Sequence, residues 1–422
     1  MRSDNLKFKD IFWNTLGTVT YSFISLLFSI VIINICGSIE GGIFSFGFST
    51  LAHLIFIITF FGIRPMHIVD VKYRYSFSDY KNFGIRAAIS GIIFGFLFIA
   101  FRYYTGSYTA VKSLLLIILV IHGAIDGFAD YYECEYQRVN KLYMSGQSLF
   151  FRIIVFATTL VISLIITKNL LTAEILAIFS EVIVFYFLNI KRSNGIYKII
   201  SSSESKVKSI FIESLPLFLI TFLDMYIFAA SKFAIDVHLG DVYSGFYNLI
   251  FMPTNVIYLI MTLIMKPILT PLSNAYYNDK VEYNKILLNT FLLSLVIAVV
   301  FILGTIFFGK IYLFIIGYLT NGIYDNLGKE IVFRGFSEEL LVLLLVIIGG
   351  CFYTICTPMF YAIIIEKKQK YLLVAYGINL LIAFYISNIF VSNAGIIGAA
   401  ISFVINMFIL FSGVVIVKGI TK

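Results

Sequence analysis

The chain has 422 residues, 60% of them hydrophobic and only 13% charged, and its net charge is +8. A water-soluble protein of this length cannot hide so much apolar surface, so composition excludes soluble enzymes and points to a polytopic membrane protein. The basic excess suits loops facing anionic lipid headgroups better than a nucleic-acid partner.

In chain order, the opening "MRSDNLKFKD" has the basic character of a signal-peptide start. No small-residue cleavage site follows its apolar run, which predicts a retained first helix. Apolar runs separated by polar breaks then predict about twelve spans. They fall near 11–35, 41–62, 84–103, 110–131, 148–167 and 170–190. The second set falls near 211–235, 241–265, 286–309, 338–361, 371–391 and 394–417. The basic connection "KRSNGIYKIISSSESKVKS" divides them, giving a six-helix bundle over 1–190, a linker over 191–210 and a second six-helix bundle over 211–422. The openings "EGGIFSFGF" and "DVYSGFYNL", at matching places in the two halves, point to a parallel internal repeat. The piece 310–337 is too short in apolar length to cross and is expected as an interfacial or re-entrant element outside.

Lys and Arg set the orientation. With the N-terminus inside, the inner segments collect most of the basic residues, while the outer side receives only Arg102, Lys112, Lys168, Lys310, Lys329 and Arg334. That asymmetry predicts both termini on the cytoplasmic side. No cysteine pair or histidine grouping has metal-binding spacing, and no cofactor motif is present.

Several spans carry charge, which is costly in hydrocarbon and turns each such residue towards protein or water. In "FLDMYIFAASKFAID", Asp224 and Lys232 lie eight residues apart, about 12 Å of rise, so they cannot pair with each other. Each either pairs with another helix, snorkels outward in the case of the lysine, or lines an aqueous cavity. His122, Asp126 and Asp130 follow one helix face, and Glu174 and Glu181 share another. Of these acids Asp130 and Glu174 are expected near the interfaces, whereas Asp126 and Glu181 lie deeper and join Asp224 as candidates for ion coupling. Arg64, Arg86 and Arg152 are placed at inner span ends and either fix topology or, with Lys266, form a cationic mouth. Arginine suits phosphate because its planar fork donates two parallel hydrogen bonds.

The stretches "EGGIFSFGFSTL", "DYYECEYQRVNKLYMSGQSLFFR", "SLPLFLITFLDMYIFAASKFAIDVHLGDVYSGFYNLI" and "AGIIGAAISFVI" resemble Wzx-like polysaccharide flippases of the MOP superfamily, over nearly the whole chain. The resemblance implies two six-helix bundles around a cationic cavity with alternating access, in a bacterial plasma membrane. The implied cargo is an undecaprenyl-pyrophosphate-linked oligosaccharide for capsule, O-antigen or another surface polysaccharide. Lys232, Arg64, Arg86, Arg152 and Lys266 would meet its pyrophosphate, and other membrane proteins of the same pathway would be partners. Relatives that flip the peptidoglycan lipid tend to carry arginine in the first helix, where Phe12 to Ile35 holds no charge. The competing readings are a multidrug exporter of the same fold and a membrane-embedded polymerase or glycosyltransferase.

Overall fold

The computed structural model describes residues 2–70, 74–194, 206–324 and 335–420, and within them ten helices are long and apolar enough to cross a membrane. Two of these are too long to cross once. The run Phe8–Phe60 has 53 residues, about 80 Å of helix against a hydrocarbon layer of about 30 Å. It contains α1 (Arg2–Phe46), a π turn (Gly47–Leu51) and α2 (Ala52–Phe60), and it breaks at Gly37, where φ is 86°. Glycine reaches that left-handed region at no steric cost. The same device, Gly395 at φ 58°, divides the 52-residue helix at the C-terminal end. Counting each long run as two crossings gives the twelve spans expected, and the breaks fall at or beside the expected gaps between 35 and 41 and between 391 and 394.

After α2 come a short helix α3 (Arg64–Val69), then α4 (Phe77–Tyr104), α5 (Ala110–Arg138), α6 (Leu142–Thr167) and α7 (Leu170–Phe185). A second π turn, Tyr186–Lys191, extends α7. Next are α8 (Val207–His238), α9 (Asp241–Asn278), α10 (Lys280–Leu319), α11 (Leu340–Ile365) and α12 (Gln369–Ile420). Two boundaries differ from expectation. α9 continues past 265 to Asn278, and α10 continues past 309 to Leu319, so the first ten residues of the 310–337 piece extend a helix and are not a separate element. Lys310 is exposed and does not stop the helix. Residues 325–334 lie outside the described ones, as does most of the predicted linker.

The chain divides into two compact units between Phe222 and Leu223, inside α8. In the first, glycines let helices approach closely. A Cβ on Gly146 of α6 would stand 2.3 Å from the Trp13 backbone of α1, and one on Gly123 of α5 would stand 2.2 Å from the Ala52 carbonyl of α2. This is the small-residue packing by which membrane helices associate without a hydrophobic driving force. In the second unit, Phe228, Phe251, Tyr353 and Phe403 join α8, α9, α11 and α12 through edge-to-face ring pairs.

Candidate functional site

Helical periodicity places His122, Asp126, Asp130 and Glu133 on one stripe of α5, because eleven residues on a helix return to within about 20° of the start. All four side chains are buried. Arg152 of α6 lies across this stripe. Its Nε donates to Asp126 Oδ1 at 2.9 Å and its Nη1 donates to Glu133 Oε1, also at 2.9 Å. Arg64, at the start of α3, pairs with Asp130 and stands 3.9 Å from Glu133. From α7, Glu181 lies 2.8 Å from His122 Nδ1, and the other ring nitrogen is 3.8 Å from Asp126. The imidazole packs against Phe48, carried on the first π turn, and against Phe156, and the two phenyl rings also stack on each other. Tyr21 and Ser148 complete the ring of donors, to Asp126 and Glu133 respectively.

This arrangement revises several expectations. Arg152, expected to be free at an inner mouth, is 4% exposed and held by carboxylates. Arg64 is 35% exposed and also paired. Arg86 is exposed on α4, with no acid partner among the described residues, and the side chain of Lys266 lies outside them. Asp130 and Glu174, expected near the interfaces, are both buried. Glu133 was not anticipated. The signal was available: it continues the stripe of Asp126 and Asp130 by one turn.

The second unit holds the other two candidates. Tyr353 of α11 donates to Asp224 Oδ2 at 2.7 Å, and the Tyr376 hydroxyl is a second phenolic neighbour. Oδ1 of the same carboxylate is buried without a hydrogen bond. Lys232 is 5% exposed and its ammonium lies 4.3 Å from the centre of the Phe251 ring. Among the described residues no carboxylate comes within ion-pair distance of it. A ring face attracts a cation but neutralises none of its charge.

A third group ties α3 and α4 to the end of α5. His67 Nε2 meets Glu135 at 2.6 Å, Arg138 meets the same carboxylate, and the imidazole stacks on Tyr80 at 3.8 Å. Burial pushes the His67 imidazole below its ordinary value, and Glu135 offsets this only in part.

No protein-family model matches this sequence, and no curated protein does. Solved structures do match. A structure of the lipid II flippase MurJ in an inward closed conformation superposes with a TM-score of 0.65 at 16% identity, covering 98% of this chain and 88% of that one. An inward-facing multidrug resistance MATE family transporter of the MOP superfamily gives 0.60 at 13% identity, covering 95% and 94%. A MOP superfamily transporter from Pyrococcus furiosus gives 0.53 at 12% identity, covering 99% and 96%. The fold is that of the MOP transporters. At such identities the likeness is one of fold, and with the membrane-length helices it makes this chain a multi-pass membrane protein with a MOP architecture.

Proposed function

We propose that this protein moves a polyprenyl-pyrophosphate-linked oligosaccharide from the inner to the outer leaflet of a bacterial plasma membrane, with both termini cytoplasmic. The observation that carries the reading is Lys232, a buried ammonium against an aromatic ring with no carboxylate within ion-pair distance among the described residues. An uncompensated cation inside a membrane helix is expensive, and an anionic cargo group supplies the missing charge when a conformational change exposes the site. Exposed Arg86 and the partly exposed Arg64 are further cations, on the first unit. Outward movement of a pyrophosphate is favoured by an inside-negative potential, by about 2.3 kcal/mol per charge per 100 mV. Asp224, with its open oxygen, is the acid we assign to a coupling ion.

One observation favours a second reading, a cation exporter. Arg152 and Arg64 are neutralised by carboxylates, which removes part of the expected cationic mouth. The polymerase reading relied on a large outer loop in 310–337, of which 310–319 now belong to α10.

Proteoliposomes loaded with a fluorescent, short-chain polyprenyl-pyrophosphate disaccharide test this proposal against dye efflux. Protein-dependent loss of leaflet-protected label supports the flippase reading. Efflux of ethidium with no lipid movement would replace it with the cation exporter.

A further inference from the structure

The buried cluster of the first unit is out of charge balance. Its carboxylates Asp126, Asp130, Glu133 and Glu181 face two guanidinium groups, Arg64 and Arg152, leaving two negative charges when all four acids are ionised and His122 is neutral. No further cation meets these carboxylates among the described residues. An excess of this size in a low-dielectric interior demands compensation. A single monovalent ion would cancel only half of it.

The geometry shows where the compensation belongs. His122, Asp126 and Glu181 each offer one ligand atom, and those atoms lie within 4.8 Å of one another. Metal bonds of about 2.1 Å place ligand atoms at most about 4.2 Å apart, so the widest pair must close by roughly half an ångström. A second observation points to the same place. Glu181 is fully buried, and its Oε1 accepts no hydrogen bond, with Arg152 Nε 3.7 Å away. An imidazole nitrogen with two carboxylates suits a divalent first-row metal, whereas sodium or calcium would be served by oxygen ligands alone.

We infer that His122, Asp126 and Glu181 form a binding site for one divalent transition-metal ion between α5 and α7, with Arg152 and Tyr21 holding the Asp126 ligand from behind. Bound there, the ion ties α7 to α5 and brings the cluster to neutrality. This site is independent of the cargo assigned above, and its loss would leave that reading standing.

The test uses the full chain in lipid nanodiscs, stripped with chelator and then titrated with Mn2+, Zn2+ or Co2+, with Na+ and Ca2+ as separate arms. We expect about one equivalent of divalent metal retained per chain, and Co2+ bands in visible absorption that report a nitrogen–oxygen ligand set. His122→Gln and Glu181→Gln should weaken binding at least tenfold, by analogy with ligand-shell losses of 10–100-fold, while Glu282→Gln in the second unit should not. The wild-type cobalt spectrum needs no variant, so a misfolded substitution does not block the answer. Absence of metal uptake by the wild type, or uptake unchanged in both ligand variants, would overturn the inference. So would binding of Na+ alone. Uptake of protons in place of metal would reassign the cluster to protonation.

Discussion

Lys232 and Arg152 are both basic, both buried in membrane-crossing helices, and their surroundings predict opposite phenotypes. Lys232 touches a ring, so Lys232→Met removes a charge without stranding an acid. We expect normal membrane abundance with export lowered by at least tenfold, and partial rescue by Lys232→Arg, measured as surface polysaccharide and immunoblot from the same cells. Wild-type export from the methionine variant would sink the anion-binding role. Arg152→Gln instead leaves Asp126 and Glu133 without their main cation. Breaking such a buried pair costs about 3–5 kcal/mol, so the expected result is loss of folded protein, seen in fluorescence size-exclusion profiles. A monodisperse, abundant glutamine variant would contradict that. Sequence alone showed that both residues were charged, and it placed Lys232 inside a span and Arg152 at an inner span end. It could not show their partners, because Arg152 meets acids of α5 and α7 whose distance from it is set by helix packing, not by spacing along the chain.

Among elements, the close approach of α1 to α6 rests on a missing Cβ. Gly146→Ala would drive a methyl into the Trp13 backbone and should cost about 1–3 kcal/mol. Gly304 of α10 has nothing within 4 Å, so Gly304→Ala should be neutral or stabilising by up to about 1 kcal/mol. Thermal unfolding in detergent compares them, and equal melting temperatures would show that the α1–α6 contact is looser than described. The α3–α4 connection carries a pH dependence. Free histidine has a value of 6.5, and buried His67 lies below it. The opened segment therefore takes up a proton that the closed one resists, so closure is fully favoured above pH 6.5 and weakens as pH falls below it. Hydrogen exchange over 64–70 should accelerate from pH 7.5 to 5.5 beyond the intrinsic chemical trend, and a flat corrected profile would dismiss His67 as the cause. The helical breaks at Gly37 and Gly395 were legible because a glycine sits between two apolar runs. The extension of α10 was not, because Lys310 reads as an end to an apolar run although an exposed lysine interrupts no backbone hydrogen bond.

For the molecule as a whole, orientation is the property that composition predicts. The excess of Lys and Arg on one set of connections predicts that Ser107 lies outside and Asp279 inside. In a cysteine-free background, Ser107→Cys should react with an impermeant maleimide in intact cells and Asp279→Cys only after lysis. The reverse pattern would invert the protein. The fold was legible at this scale because twelve apolar runs leave few alternatives, while the charge cluster of the first unit was not, since it gathers residues from five separated stretches. That cluster also imposes an order on biogenesis. α5 leaves the ribosome carrying Asp126, Asp130 and Glu133, and a centrally placed aspartate alone opposes insertion by about 2.5–3.5 kcal/mol. Arg152, which neutralises two of these acids, emerges one helix later, and Glu181 and its contact to His122 come only with α7. The helix that organises the first unit is therefore poorly suited to enter lipid alone. It has to wait in the insertion machinery for α6 and cross as a hairpin with its counter-charge already in place.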